Sequence, residues 1–165
     1  MANSIQNQLN KLQVTLSNPL SVCWQITKVC NFSCPFCISG DWKSNEGELT
    51  FSQVKRVIDK LFKAGVARID FTGGEPFLRK DFLKILNYAS LLGFRLLVTS
   101  NGSTYSDEIA KCVKKNNITL QISLDGNEKV HDSFRGKGNF RRSINNIKKF
   151  KAFGVDLRIN FLIQK

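Results

Sequence analysis

The sequence predicts an α/β fold in which parallel strands alternate with amphipathic helices. Five β-rich runs recur along the chain, and polar loops followed by helical stretches separate them. Gly65, Gly93 and Gly154 end three of these helical stretches, as C-terminal glycines commonly do. Alternating strands and helices favour βα units with parallel pairing and right-handed crossovers. The length of 165 residues suits one domain.

The first expected unit is a polar N-terminal segment or short helix over residues 1–20, and the core is expected over 21–165. Apolar residues in the first unit fall at helical spacing: Ile5, Leu9, Leu12 and Leu16. The segment "MANSIQNQLN" lacks the basic and apolar parts of a signal peptide. No apolar run approaches the ~18 residues that span a bilayer. These features predict a cytoplasmic protein without membrane contact.

The predicted strands share a high content of Ile, Val, Leu, Phe and Thr, which is typical of β-structure. They cover residues 21–27, 67–72, 94–100, 119–124 and 155–163. The first helix has a strong start signal, because Thr50 and Gln53 form a capping box. In parallel α/β folds, ligands bind at the carboxyl ends of the strands. A functional site should therefore take its residues from the loops that follow strands.

The loop after the first strand carries "KVCNFSCPFCISG", residues 28–40, with three cysteines in a C-x3-C-x2-C pattern. A structural zinc site usually takes four protein ligands, and a fourth is hard to find here. The only histidine, His131, lies beyond the fourth strand, and Cys23 lies within the first. Three thiolates fit a 4Fe–4S cluster with one iron open to another ligand. Zinc and unliganded structural cysteines are the alternatives.

Unusual polar or glycine-rich clusters also follow the next three strands: "GGEP" (73–76), "NG" (101–102) and "SLDG" (123–126). Gly73 and Gly74 would let a ligand approach the backbone closely. Glu75 would place a carboxylate suited to an ammonium group on the same rim. The alternative is a tight strand-to-helix turn. All four loops belong to one edge of the predicted sheet, which favours a shared site.

These motifs resemble the radical S-adenosylmethionine (radical SAM) superfamily. The resemblance rests on "CNFSCPFC", "FTGGEPFLRKDF", "TSNG" and "ISLDGNEKVHDSFRGKGNF", which appear in register over residues ~22–163. The last motif is similar to the SPASM-type branch, which includes maturases of sulfatases and ribosomal peptides. The resemblance implies a partial (βα) TIM-like barrel of about five βα units, with parallel strands inside and helices outside.

The resemblance also implies two cofactors, a 4Fe–4S cluster and S-adenosyl-L-methionine (SAM). Cys30, Cys34 and Cys37 would hold the cluster, and the amine and carboxylate of SAM would bind the open iron. The other implied cofactor contacts are Gly73, Gly74 and Glu75 at the amine, Phe36 near the adenine, and Ser123, Asp125, Asn101 and Arg135 at the ribose or carboxylate. No catalytic side chain is implied.

Several of these residues have simpler interpretations. Ser123 and Asp125 could form an Asx-type turn, and Arg135 could be an exposed loop cation. His131 and Asp132 are expected to be surface or helix-capping groups. Cys23 and Cys112 are expected to be buried small apolar residues, and Trp24 and Trp42 to be packing residues.

The resemblance implies an enzyme that cleaves SAM reductively to a 5′-deoxyadenosyl radical for hydrogen abstraction, with a peptide or protein as substrate. An external reductant such as flavodoxin or ferredoxin would supply the electron. The alternatives are a small-molecule cofactor-biosynthesis enzyme and a non-catalytic 4Fe–4S/SAM-binding module. The net charge of +12 can mark a nucleic-acid binder, but the basic residues are spread along the outer faces of the predicted helices. This spread favours a solvated basic surface over an RNA or acidic-peptide partner.

Family members of this type have about six βα units, whereas this chain ends after its fifth predicted strand at "FLIQK". A core incomplete at its C-terminus would leave an open edge that an oligomer could cover. Three explanations stay open: a fragment, a naturally short member completed by a partner or dimer, and a degenerate protein without turnover.

Overall fold

A computed structural model describes residues 19–37 and 44–163. Five strands form one sheet: β1 Ser21–Thr27, β2 Arg68–Gly73, β3 Arg95–Ser100, β4 Thr119–Ser123 and β5 Leu157–Asn160. Their order is β1-β2-β3-β4-β5, and every neighbouring pair is parallel. The predicted α/β class and parallel pairing are confirmed. Within the described ranges β1 and β5 do not pair, so the sheet forms an open wall.

The helices are α1 Phe51–Lys63, α2 Phe82–Leu91, α3 Asp107–Lys115, α4 Glu128–Arg135 and α5 Asn139–Phe153, with a short 3-10 turn at Pro76–Leu78. The predicted capping box is present at the start of α1, where Thr50 and Gln53 bond to each other's backbone N–H. Helix α4 was not predicted from the sequence. The N-terminal helix expected over residues 1–20 and the packing role of Trp42 fall outside the described residues.

The apolar core lies between the sheet and its helices. Buried sheet residues such as Phe71, Val98 and Ile122 alternate with polar residues, as the period of a strand requires. They pack against buried helix residues such as Ile58 and Ile85. The helices therefore cover one face of the sheet. The apolar surface that they bury against it stabilises the strand arrangement, so the carboxyl ends of the strands form a common rim.

The opposite face of the sheet is mostly polar, with Leu97 of β3 as an apolar exception. On this face, Gln25 of β1 is paired in register with Thr72 of β2. Thr99 of β3 is likewise paired with Gln121 of β4. The side-chain amide of Gln121 donates to the hydroxyl of Thr99 at 3.3 Å. Closed (βα) barrels usually fill this face with branched apolar residues. Here the inner face is instead a polar wall that leads up to the rim.

Two expectations about strands and burial are wrong in detail. Strand β5 ends at Asn160, not at residue 163, because the N–H of Leu162 donates to the side chain of Asp125 and leaves the ladder. Cys23 is exposed, since it points to the inner face of an edge strand, opposite to Trp24 and Ile26. Cys112 is buried, as predicted.

None of the helices in residues 19–37 and 44–163 combines the length and apolar character that a membrane crossing needs.

Candidate functional site

A cavity of about 270 Å³ opens at the carboxyl ends of the strands. It is bounded by the cysteine loop on one side and by the ends of β2, β3 and β4 on the other. Its lining residues are Cys30, Phe32, Cys34, Phe36, Cys37, Thr72, Gly73, Gly74, Thr99, Ser100, Asn101, Ser123 and Arg135. The loops that the sequence placed on one rim therefore meet around one cavity.

The GGEP turn extends the pairing of β1 and β2 into the cysteine loop. The N–H of Gly74 donates to Thr27 O at 2.9 Å, and the N–H of Glu75 donates to Val29 O at 2.7 Å. A Cβ atom on Gly73 would lie 2.3 Å from Thr27 O, and one on Gly74 would lie 2.2 Å from Val29 O. Both glycines are therefore required because the backbone of residues 27–29 passes so close to them. The sequence had predicted a different reason, namely the close approach of a ligand.

Glu75 lies behind the cavity wall, with no exposed surface. Its carboxylate accepts from Ser100 Oγ at 2.9 Å, from the N–H of Asn101 at 2.7 Å and from the N–H of Phe77 at 3.2 Å. Burial raises the pKa of Glu75 to about 7, and these three donors oppose the rise. The carboxylate therefore organises the turns after β2 and β3. Its contact with the amine of SAM stays a prediction.

The NG turn after β3 is bonded to the cysteine loop. Asn101 Nδ2 donates to Asn31 Oδ1 at 2.9 Å, and Asn31 Nδ2 donates to Ser103 Oγ at 2.9 Å. The N–H of Ser103 donates to Asn101 Oδ1 at 2.8 Å. Asn101 also approaches Cys30 Sγ at 4.0 Å. The amide of Asn101 thus supports the loop that carries the first cysteine.

A buried ion pair joins the SLDG turn to the end of α4. Arg135 Nε lies 2.5 Å from Asp125 Oδ2, and the side chains are 12% and 1% exposed. The guanidinium also sits over the ring of Phe36, 5.6 Å from its centre. Arg135 is therefore a fixed cation in the cavity wall and not an exposed loop cation. Asp125 bonds to Arg135 and to the N–H of Leu162, so both of its oxygens reach beyond its own turn.

His131 is fully buried, so the expectation of a surface or helix-capping group is wrong for this residue. Its Nδ1 accepts the N–H of Asp125 at 3.1 Å. Its Nε2 is the one buried side-chain N or O atom without a hydrogen-bond partner among the residues described. Asp132, by contrast, caps α5 by accepting the N–H groups of Gly138 and Phe140. The capping role predicted for Asp132 is confirmed.

The donor set fits a cluster better than a single metal ion. Across residues 19–37 and 44–163, no three His, Cys, Asp or Glu side chains are close enough together to hold one ion. A structural zinc site usually takes four protein ligands, whereas each thiolate of an iron–sulfur cluster binds its own iron. Cys30, Cys34 and Cys37 instead surround one cavity. The residues present therefore fit the open 4Fe–4S cluster predicted from the sequence.

Two of the cysteines are partly withdrawn from solvent. Burial raises the pKa of the Cys30 thiol, while the N–H of Phe32, which donates to Cys30 Sγ at 3.4 Å, opposes the rise. Burial also raises the pKa of Cys34, and the positive charge of Arg135 opposes it. Thiolates in this cavity therefore depend on nearby donors and cations for stabilisation.

Nine of the eleven predicted site residues line the cavity, and the two exceptions are Glu75 and Asp125. Their carboxylates are buried just outside it and hold cavity residues in place. Four lining residues were missed: Phe32, Thr72, Thr99 and Ser100. Alternation along β2 and β3 was the available signal for Thr72 and Thr99. The roles of the eleven predicted residues in binding the cluster and SAM stay predictions.

Fold and site together define a parallel βα wall with a three-cysteine cavity at the carboxyl ends of its strands. The family model for the Radical SAM superfamily matches residues 24–163, so the chain belongs to this superfamily. The family predicted from the sequence is confirmed.

Several curated proteins are similar to the chain. The sporulation killing factor maturation protein SkfB of Bacillus subtilis is 38% identical over 149 residues, which are 89% of this chain and 36% of SkfB. The mycofactocin maturase MftC of Mycolicibacterium smegmatis is 32% identical, covering 91% of this chain and 39% of MftC. An AdoMet-dependent heme synthase of Oleidesulfovibrio alaskensis is 32% identical, covering 87% and 38%. The chain thus spans about two fifths of the length of these relatives.

Among solved structures, SuiB of Streptococcus suis superposes with a TM-score of 0.82 at 22% identity, covering 99% of this chain and 39% of SuiB. SuiB has been solved bound to S-adenosylmethionine and, separately, to its precursor peptide SuiA. At this identity the likeness concerns the fold, and it confirms the partial barrel.

Proposed function

We propose that the chain is the SAM-cleaving core of a radical SAM enzyme that modifies a peptide or protein. The observation that carries this proposal is the convergence of the three cysteines with Gly73, Gly74 and Arg135 on one cavity. When bound, a 4Fe–4S cluster and SAM supply reductive cleavage to methionine and a 5′-deoxyadenosyl radical that abstracts a substrate hydrogen atom.

The chain's own residues bind and orient these cofactors. Cys30, Cys34 and Cys37 would each contribute one thiolate, and the backbone of Gly73 and Gly74 would face the amine of SAM. Arg135 offers a fixed guanidinium to the carboxylate of SAM, because Asp125 already fixes its Nε. Ser123 and Asn101 lie within the same cavity and would contribute polar contacts to the ribose. The ring of Phe36 supplies an aromatic face to the adenine.

A peptide or protein substrate is favoured by the relatives. SkfB and MftC are a maturation protein and a maturase by name, and SuiB has been solved with a precursor peptide. An external reductant such as flavodoxin or ferredoxin would deliver the electron. A reducing cytoplasm suits this chemistry because it preserves free thiolates.

Anaerobic reconstitution tests the proposal directly. We expect about four irons per chain, as one 4Fe–4S cluster requires, and 5′-deoxyadenosine release after addition of SAM and dithionite. The Cys30→Ala/Cys34→Ala/Cys37→Ala variant is the matched control and should retain no cluster. Iron-free protein containing zinc would contradict the cluster. A loaded cluster that binds SAM and releases no 5′-deoxyadenosine would favour the non-catalytic module.

A second candidate is a small-molecule cofactor-biosynthesis enzyme. It is favoured by the heme synthase of Oleidesulfovibrio alaskensis, which is 32% identical over 148 residues. The two candidates differ in where the abstracted hydrogen originates. Supplying the reconstituted protein with deuterated peptide or deuterated porphyrin precursor, and measuring deuterium in 5′-deoxyadenosine, distinguishes them.

A further inference from the structure

Arg79 follows the 3-10 turn that continues the GGEP motif, and its side chain is only 6% exposed. No role in cofactor binding is assigned to it, and it does not line the three-cysteine cavity. It lies at the point where the two ends of the cysteine loop come together. Its backbone N–H donates to Pro76 O at 3.1 Å, so it is also part of the turn that carries Glu75.

The guanidinium of Arg79 bonds to the backbone at both ends of the cysteine loop, which is the segment 28–50 between β1 and α1. Its Nη1 donates to Ile26 O at 2.9 Å, just before the loop begins. Its Nη2 donates to Leu49 O at 2.7 Å, near the end of the loop and two residues before α1 begins. One planar group with five N–H donors can make both bonds at once, and no other side chain offers that geometry.

Two carboxylates complete the arrangement. Asp81 accepts from Nε of Arg79 at 2.7 Å and from Nη2 at 3.2 Å, which fixes the plane of the guanidinium. Glu48 lies 3.7 Å from Nη1 and accepts from Thr27 Oγ1 at 2.5 Å and from the N–H of Lys28 at 3.0 Å. A residue from the end of the loop thus bonds directly to residues at its start.

We propose that Arg79 is a positioning residue that closes the cysteine loop and so holds Cys30, Cys34 and Cys37 ready for the cluster. The inference rests on the proposed function for its consequence, but the loop closure is a property of the chain itself. Joining the two ends of a loop has an entropic cost. The bonds of Arg79 hold the two ends of the loop together before the cluster binds. Cluster binding therefore loses less conformational entropy.

The test compares Arg79→Gln and Arg79→Lys with the wild type. Lysine keeps the charge but places its donors on one nitrogen, which cannot span Ile26 O and Leu49 O. We expect both variants to lose iron to a chelator about tenfold faster, as the loss of a charge-assisted hydrogen bond implies. The matched control is Tyr88→Phe, which removes the hydrogen bond from Tyr88 on α2 to Asp59 on α1, away from the rim.

Three outcomes would overturn the proposal. If Arg79→Gln retains iron as well as the wild type does, Arg79 has no positioning role. If Arg79→Lys retains iron as well as the wild type does, the effect comes from the charge and not from the paired bonds to Ile26 O and Leu49 O. If Tyr88→Phe has the same urea midpoint as Arg79→Gln and loses iron equally fast, the effect of Arg79 is one of general stability.

A second measurement needs no iron and separates this proposal from the proposed function. In the iron-free chain, amide hydrogen exchange at Lys28 and Val29 should be faster in Arg79→Gln than in the wild type or in Tyr88→Phe. If the wild type binds no iron and this exchange difference is present, the proposed function fails and the loop closure stands. Unchanged exchange at both amides would overturn the loop closure itself.

Discussion

The carboxylate of Glu75 accepts the backbone N–H of Asn101 at 2.7 Å, and this bond ties the turn after β2 to the turn after β3. The same carboxylate also accepts from Ser100 Oγ and from the N–H of Phe77. A buried acceptor with three donors is costly to remove, because each donor would lose its partner. The rim of the cavity therefore depends on a carboxylate that does not line it.

The first prediction concerns pH and Glu75. The folded-state pKa of Glu75 is about 7, above its usual 4.5. Between these values the unfolded chain ionises first, so the free energy of unfolding falls as pH rises through this window, by up to about 3 kcal/mol. Below pH 4.5 this contribution to stability is fully present. Glu75→Gln should lose this pH dependence in urea unfolding, whereas Glu46→Gln, at an exposed position, should keep it. An unchanged slope in Glu75→Gln would contradict the assignment.

The second prediction concerns His131, whose slope has the opposite sign. Burial, together with the charge of Arg135, lowers the pKa of His131 below 6.5. Above pH 6.5 the imidazole is neutral in both states, and its contribution to stability is fully present. As pH falls below 6.5 the unfolded chain takes the proton first, so the free energy of unfolding falls. In the Glu75→Gln variant, this fall in the free energy of unfolding below pH 6.5 should be seen without the opposing contribution of Glu75.

His131→Asn provides the check on that second slope. Asparagine keeps an acceptor for the N–H of Asp125 but does not titrate. The Glu75→Gln/His131→Asn protein should therefore unfold with little pH dependence between pH 5 and 7, measured by urea denaturation at each pH. A persistent acid-side loss in this double variant would assign the titration to another group.

The sequence predicted the strands and the shared rim because both follow from local patterns. Strand β1 matches its predicted range of 21–27, and the capping box at Thr50 and Gln53 fixed the start of α1. Loops after parallel strands must meet at one edge, so the cavity followed from strand order alone. These predictions needed no knowledge of side-chain packing.

The errors concern residues whose surroundings are set by distant parts of the chain. His131 is buried because α4 packs beside the SLDG turn, and α4 itself has a weak apolar pattern, with Val130 exposed. Cys23 is exposed because β1 is an edge strand with a polar inner face. The direction of the Glu75 carboxylate depends on bonds to Ser100 and Asn101, 25 and 26 residues away in sequence. No local pattern encodes these contacts.

The third prediction concerns Gly74. A methyl group there would lie 2.2 Å from Val29 O, a backbone atom that cannot move without shifting the cysteine loop. Gly74→Ala should therefore reduce iron per chain at reconstitution and lower the urea midpoint. Gly65→Ala is the control: its positive φ of 76° strains an alanine, but nothing lies within 4 Å of the added Cβ. Gly65→Ala should lower the midpoint and leave the iron content unchanged. Full iron loading of Gly74→Ala would contradict the tight contact.

The fourth prediction concerns the buried pair of Asp125 and Arg135. Asp125→Ala leaves a largely buried guanidinium without its partner, which should cost about 3 kcal/mol of unfolding free energy. It also removes the acceptor for the N–H of Leu162, so exchange at that amide should accelerate. The control is Glu128→Ala, which breaks the exposed pair with Arg141 and should cost less than about 1 kcal/mol.

The same variant distinguishes a structural role of Asp125 from a role in SAM binding. If Asp125 acts by holding Arg135 over Phe36, then Asp125→Ala and Arg135→Gln should weaken SAM binding to the reconstituted protein to a similar extent. The double variant should then be little worse than either single variant, because both changes remove the same contact. Additive losses in binding would instead mean that Asp125 contacts SAM independently of Arg135, as the superfamily resemblance first implied. Titration calorimetry with SAM under anaerobic conditions measures all three affinities.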